Sequence, residues 1–168
     1  MKKHIETERK YIILMPDESL LHSLGRCTES EITQIYLSDD SGATHRVRRR
    51  EYADKISYTE NIKRRVSTMS VVEEEGEISE QRFFELTKSI APGTCPVYKK
   101  RIAVEYCGRT LEIDIYDRWK RTAVLEIELE SEDEAPAIPK AITVIREVTG
   151  DKRYSNHSMA HGFPEEII

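Results

Sequence analysis

Cysteine is scarce: Cys27, Cys95 and Cys107 are the only three in 168 residues. An odd number without metal-type spacing excludes a disulfide scaffold and a cysteine-built zinc site, and reads as free thiols in a reducing compartment. Glycine (7) and proline (6) are sparse as well, which excludes collagen-like and low-complexity architectures. No apolar run approaches the length of a membrane span. Met1-Lys2-Lys3-His4-Ile5-Glu6 opens without the apolar core of a signal peptide, so the expectation is a cytoplasmic protein with no membrane partner. A basic excess is missing too. Thirty-one acidic against 26 basic residues leave a net charge of -5, which argues against nucleic acid as a partner.

What is present is charge in quantity, 34% of residues, beside 38% apolar residues. The length suits a single domain spanning residues 1–168. Hydrophobic periodicity divides it into about eight strands and three or four short helices. Strands are expected over 3–15, 31–37, 43–51, 57–66, 69–78, 96–106, 110–116 and 123–130. Pro16-Asp17-Glu18 opens a helix that Gly25 ends. Ser79-Glu80-Gln81-Arg82 starts another, with Phe83, Phe84, Leu86 and Ile90 as its apolar stripe and Pro92-Gly93 as its stop. A third is expected from Pro139, with Ile142, Ile145 and Val148 on one face and Gly150 closing it. Residues 132–136 read as a loop.

Alternate strand residues point to opposite faces. Glu6, Glu8 and Lys10 share one face of the first strand, with Ile5, Thr7, Tyr11 and Ile13 on the other. Arg46, Arg48 and Arg50 oppose Val47; Glu73, Glu75 and Glu77 oppose Val72 and Ile78; Lys99 and Arg101 oppose Ile102. Glu112 and Asp114 oppose Leu111, Ile113 and Ile115, and Glu126, Glu128 and Glu130 oppose Leu125, Ile127 and Leu129. One such strand is an ordinary solvent-facing edge of an antiparallel sheet. The set is different, because exposed faces mix signs whereas these strands carry blocks of one sign. Like charges two residues apart repel, and bound ions of the opposite sign offset that cost. A closed barrel with a charged interior and an apolar exterior accounts for both features. Its carboxylates suit Mg²⁺ or Mn²⁺ and its Lys and Arg suit phosphate oxygens, so a polyphosphate with its metal brings both signs into one site.

The stretch Ile5-Glu6-Thr7-Glu8-Arg9-Lys10 resembles the Glu-x-Glu-x-Lys signature that opens CYTH domains, the triphosphate tunnel family. Ordered matches follow. Gln34-Ile35-Tyr36-Leu37 resembles Gln-x-Tyr-Leu, Arg46-Val47-Arg48 resembles Arg-x-Arg, and Asn61-Ile62-Lys63 sits where the family has Thr-x-Lys. Glu73-Glu74-Glu75-Gly76-Glu77 is similar to the alternating-glutamate strand, and Lys99-Lys100-Arg101 to Lys-x-Arg. Leu111–Tyr116 fits a strand ending in Asp-x-aromatic, Leu125–Leu129 the closing Glu-x-Glu, and Tyr154-Ser155-Asn156 a C-terminal segment. Two features depart. Asp117–Arg121 replaces a glycine-containing turn, and the His-Phe-Asp-Thr-like stretch of thiamine-triphosphatase and class IV adenylate cyclase relatives is missing.

The resemblance implies an α+β fold: a closed antiparallel eight-stranded β-barrel, the triphosphate tunnel, with short helices packed outside. It implies metal carboxylates at Glu6, Glu8, Glu126 and Glu128, with Asp114 and Glu75 as further ligands, and Mg²⁺ or Mn²⁺ as the cofactor. Lys10, Arg46, Arg48, Lys63, Lys99 and Arg101 become the substrate-binding phosphate clamp, and Lys10, Glu8, Arg48 and Lys63 the catalytic set. Arg50, Arg65, Glu73, Glu77 and Glu130 lie nearer strand ends and are open to solvation. His157 and His161 are four apart, but without a third ligand they read as packing or surface. The expected activity is hydrolysis of a small-molecule triphosphate, inorganic tripolyphosphate ahead of a nucleoside triphosphate. The alternatives are a class IV-type adenylate cyclase, a thiamine-triphosphatase, or a polyphosphate-binding module without catalysis. A homodimer is allowed by the sequence.

Overall fold

A sheet whose two faces are both rich in demanding side chains shelters them by closing on itself. The computed structural model describes residues 1–168 and has that closure. Its strands are β1 (Lys2–Leu14), β2 (Cys27–Leu37), β3 (Thr44–Tyr52), β4 (Lys55–Arg65) and β5 (Ser70–Glu77). They continue with β6 (Val97–Tyr106), β7 (Arg109–Tyr116), β8 (Thr122–Glu128) and a short β9 (Val144–Glu147). Neighbours run β5-β4-β3-β2-β6-β7-β8-β1, each pair antiparallel, and β5 pairs back onto β1 to close eight strands. β1 is long enough to be shared on its edge away from β8. Lys2–Thr7 face β5, and Tyr11–Ile13 face β9.

The helices are single short segments outside the barrel or across its end: α1 (Glu18–Leu24), α2 (Glu80–Leu86) and α3 (Asn156–His161). Each begins at a residue whose side chain accepts from its first turn: Asp17, Ser79 and Ser155. None is long and apolar enough to cross a membrane.

Two boundaries differ from expectation. β2 begins at Cys27, because Cys27–Ser30 pair with Arg101–Val104 of β6 although they carry no apolar alternation of their own. The helix expected from Pro139 does not form. Residues 140–142 turn and β9 follows. Ile142, Thr143, Val144 and Ile145 are consecutive β-branched residues, poor helix formers that suit a strand, and the free edge of β1 offers them a ladder.

The apolar residues fall into three zones. The largest joins the outward faces of β1, β6, β7 and β8, including Tyr11, Ile13, Ile102, Ile113, Leu125 and Ile127, and is covered by Leu21 of α1 and Ile142. Phe83 of α2 covers Leu37 and Val47 in the smallest zone. The third plugs one barrel end, where Ile12, Tyr36, Tyr116 and Val124 meet Trp119, Tyr154 and Met159. Each fully buried aliphatic or aromatic side chain is worth about 1.5–3 kcal/mol. The lumen can therefore be left to charge.

Candidate functional site

Strand register decides which lumen charges meet. Lys10 lies opposite Glu126 between β1 and β8, and their side chains pair at 2.9 Å. Arg101 lies opposite Asp114 between β6 and β7, with Arg101 Nε at 2.6 Å from Asp114 Oδ1. Lys99 reaches the other oxygen of Asp114 at 2.5 Å, and Arg101 also donates to Glu112 and, at 3.0 Å, to Glu126. Lys63 pairs with Glu6 and, at 3.3 Å, with Glu73. Arg46 stands 3.8 Å from Glu73. Among these cations only Arg48 has no carboxylate within ion-pair distance.

These walls enclose a cavity of about 340 Å³. Glu6, Glu8, Lys10, Arg46, Arg48, Lys63, Lys99, Arg101 and Glu126 line it together. Thr68, Met69 and the segment Val148–Lys152, beside the stretch where the edge of β1 passes from β5 to β9, line it as well. That segment is tied to β1 by hydrogen bonds from Val148 N to Lys10 O (2.8 Å) and from Lys10 N to Thr149 Oγ1 (3.0 Å).

Three sequence-predicted residues stand apart from the lining. Asp114 lies beneath it, fully buried, with both oxygens in ion pairs. Glu75 accepts from Asn61 Nδ2 at 2.8 Å. Glu128 sits at the exposed end of β8, opposite Glu8 in register. Glu73, expected to be open to solvent, is 5% exposed. Asn61, Lys63 and His4 hold it inside the barrel wall.

Burial and crowding set the protonation of these groups. Burial works against charge on Asp114, but Arg101 and Lys99 outweigh it and lower its pKa. Burial likewise opposes Glu126, yet Lys10, Lys99 and Arg101 hold it well below the ordinary carboxylate range. Lys10 is raised because Glu126 and Glu8 overcome its burial. Burial, then Arg101, lowers Lys99 to about 8. Burial, then Arg46 and Arg101, lowers Arg48 to about 10. Glu8 is raised to about 7 by burial and by Glu126, and Glu128 is raised by burial and by Glu6 and Glu112.

Glu8 and Glu128 are thus the two lumen-strand carboxylates whose charge the surroundings disfavour. They lie opposite each other in register and both are hard oxygen donors; Glu126 and Glu6 crowd the first, Glu6 and Glu112 the second. No three acidic, histidine or cysteine groups are gathered round one point. Mg²⁺ and Mn²⁺ commonly take one or two carboxylates and complete the shell with water and substrate phosphate.

Sequence reasoning missed several lining residues. Glu112 lies on the charged face of its strand but is not among the expected site residues, and Tyr36 belongs to a matched motif on the inward face of β2. Thr68, Thr149, Gly150, Lys152 and His157 come from loops and α3, where no periodicity points inward. Asn61 and Gln34 are buried neutral residues among charges, and only a three-dimensional neighbour list reveals their part.

No family model and no curated protein matches this chain. Solved structures do. The inorganic triphosphatase NE1496 superposes with a TM-score of 0.57 at 26% identity, over 95% of this chain and 100% of that one. The PH1819 protein from Pyrococcus horikoshii OT3 gives 0.57 at 19% identity over 76% and 80% of the two chains. HpAC1 from Hippeastrum, an adenylyl cyclase candidate described as having a dominant triphosphatase activity, gives 0.53 at 16% over 74% and 80%. At their identities the last two speak for the fold alone. The closed barrel, its charged lumen and these neighbours together make the architecture that of the triphosphate tunnel, shared with an inorganic triphosphatase along nearly the whole of both chains.

Proposed function

We propose that this protein is a metal-dependent triphosphatase that cleaves the terminal phosphoanhydride of inorganic tripolyphosphate. One observation carries the reading: six cationic side chains from four strands converge on one cavity of about 340 Å³, with carboxylates set between them. The full-length likeness to an inorganic triphosphatase supports it.

Arg46 and Arg48 offer forked donors that match phosphate oxygens. Arg46 Nε is buried without an acceptor in the protein, so a phosphate oxygen supplies a missing partner. Lys10, Lys63, Lys99 and Arg101 hold further oxygens while their carboxylates keep them in place. In the reaction a water oxygen bonds to the terminal phosphorus as its bridging P–O bond breaks, giving orthophosphate and pyrophosphate. The lumen cations stabilise charge on the transferring and leaving oxygens, and positioning contributes much of the rate. A bound Mg²⁺ or Mn²⁺ would add Lewis-acid neutralisation of phosphate charge, and Glu8 with Glu128 would hold it.

The test is a panel of tripolyphosphate, ATP and thiamine triphosphate with Mg²⁺ or Mn²⁺, scored for orthophosphate and for cyclic nucleotide. Orthophosphate release that chelator abolishes is expected. Binding without either product points instead to a non-catalytic polyphosphate module, and cyclic AMP to a cyclase.

A further inference from the structure

Gln34 is fully buried in β2, opposite Arg48 of β3 in register and two residues from Tyr36 on the same face, which lies opposite Arg46. Its carboxamide has one orientation that satisfies it, assigned from its neighbours. With the oxygen toward β3 it accepts from Arg46 Nη1 at 3.1 Å and from Arg48 Nε and Nη2 at 3.3 and 3.2 Å. Turned over, the NH₂ group would face only donors.

The choice of a neutral acceptor here contrasts with the rest of the lumen. Lys10, Lys63, Lys99 and Arg101 are each held by one or more carboxylates at 3.3 Å or less. Arg46 has only Glu73 at 3.8 Å, and Arg48 has none. A carboxylate at position 34 would hold both guanidinium groups more strongly, but it would also cancel one of their charges. An amide oxygen orients them and leaves both charges available.

We infer that Gln34 is a positioning residue: its carboxamide oxygen holds Arg46 and Arg48 as an adjacent pair with little compensating charge, aimed into the cavity to receive a phosphate group. This rests on the proposed triphosphatase reading and names the part of the site that captures the anion. The lowered pKa of Arg48, owed to burial and then to Arg46 and Arg101, fits a cation kept without a counter-ion. The unpartnered Nε of Arg46 fits a donor left for a ligand.

Two variants test it. Gln34→Glu keeps the shape and adds the charge the site avoids, and Gln34→Met keeps most of the volume and removes the acceptor. Tripolyphosphate binding is measured by calorimetry with chelator present, and kcat and KM with Mg²⁺. Gln34→Glu is expected to weaken binding and raise KM by about tenfold or more while melting no earlier than wild type. Gln34→Met is expected to raise KM by less and to lower kcat, since two unheld guanidinium groups no longer share one geometry. A role confined to packing predicts the opposite pattern: earlier melting of both variants, with unchanged Kd and KM in the folded protein. Wild type provides a reading that needs no variant. The Arg48 Nε proton, held by Gln34, should exchange slowly and shift when tripolyphosphate is added; fast exchange with no shift overturns the arrangement. Wild-type protein that neither binds nor cleaves tripolyphosphate overturns the proposed function itself. Wild-type binding with Gln34→Glu unchanged overturns only the part given to Gln34.

Discussion

Asp114 sets one negative charge between Lys99 and Arg101 at the floor of the lumen, with no solvent-exposed surface of its own. Removing it leaves Lys99 without its ion pair and takes from Arg101 one of its three carboxylates. Asp114→Asn is expected to destabilise the protein by about 3–5 kcal/mol, the cost of breaking a buried pair from one side, measured by denaturant unfolding. The pH dependence has a definite sign. The folded-state pKa of Asp114 is lowered, because Arg101 and Lys99 outweigh burial. The unfolded chain therefore takes up this proton first as pH falls. The stabilisation is fully present above the unfolded value of about 4 and is lost as pH drops through the lower folded value. The acid limb of the stability curve should be shallower in Asp114→Asn than in wild type; an unchanged limb would show that Asp114 is not its source. Glu128 behaves oppositely, since its neighbours Glu6 and Glu112 already disfavour its charge. Glu128→Gln should therefore leave the melting temperature unchanged or raised, while metal-supported turnover falls at least about 100-fold. Full activity in Glu128→Gln, or turnover that resists chelator, contradicts the metal reading.

At the scale of elements, β7 and β8 were the most legible strands because residues 111–115 and 125–130 alternate apolar and acidic side chains without a break, a signal that burial on one face enforces. That the lumen cations line one cavity was legible in part: Arg46 and Arg48, or Lys99 and Arg101, share a face by parity alone. What the alternation could not supply is pairing between strands. It left Glu73 to solvent, although Lys63 stands opposite it in register and draws it inward. It also made a helix of the β9 region, whose strand exists because β1 has a vacant edge. The segment after β9 carries its own steric requirement. Gly150 has φ +74°, and a Cβ there would lie 2.3 Å from Thr68 Cγ2 and 3.3 Å from Thr68 O. Gly150→Ala should thus destabilise by about 1–3 kcal/mol through backbone strain and overpacking, read by thermal unfolding. Adding Thr68→Ser removes the clashing methyl and should restore part of the loss. No recovery in the double variant would mean the strain is in the backbone alone.

The whole molecule is an inside-out arrangement for a small barrel, with apolar walls outside under short helices and ion pairs within. That polarity bears on substrate choice. Tripolyphosphate needs cations and a metal, and the cavity lining is mostly polar and charged. A nucleotide also needs an aromatic face or amide edge for its base. Tyr36 lines the cavity but is only 2% exposed and is packed edge-on by His157 at 5.1 Å between ring centroids. Tyr116 is 1% exposed and donates its hydroxyl to Asn156 at 2.7 Å. Tyr98 points outward, and Tyr58 lies on the outer wall, donating to Glu80. None of these tyrosines offers an open stacking surface to the lumen, and the lining His157 packs edge-on against Tyr36 and His161. Adenosine then adds little binding in the transition state and lengthens the molecule that must enter. A cyclase must further hold the ribose 3′-hydroxyl in line with the α-phosphate, which demands base and ribose contacts at fixed positions. The expected outcome is a kcat/KM for tripolyphosphate about tenfold or more above that for ATP under one metal, equivalent to about 1.4 kcal/mol of transition-state binding. Chromatography of the ATP reaction should show ADP and no cyclic AMP. Equal or better use of ATP would mean that the C-terminal segment or α3 opens to admit a base, and cyclic AMP accumulating with turnover would replace hydrolysis by cyclisation.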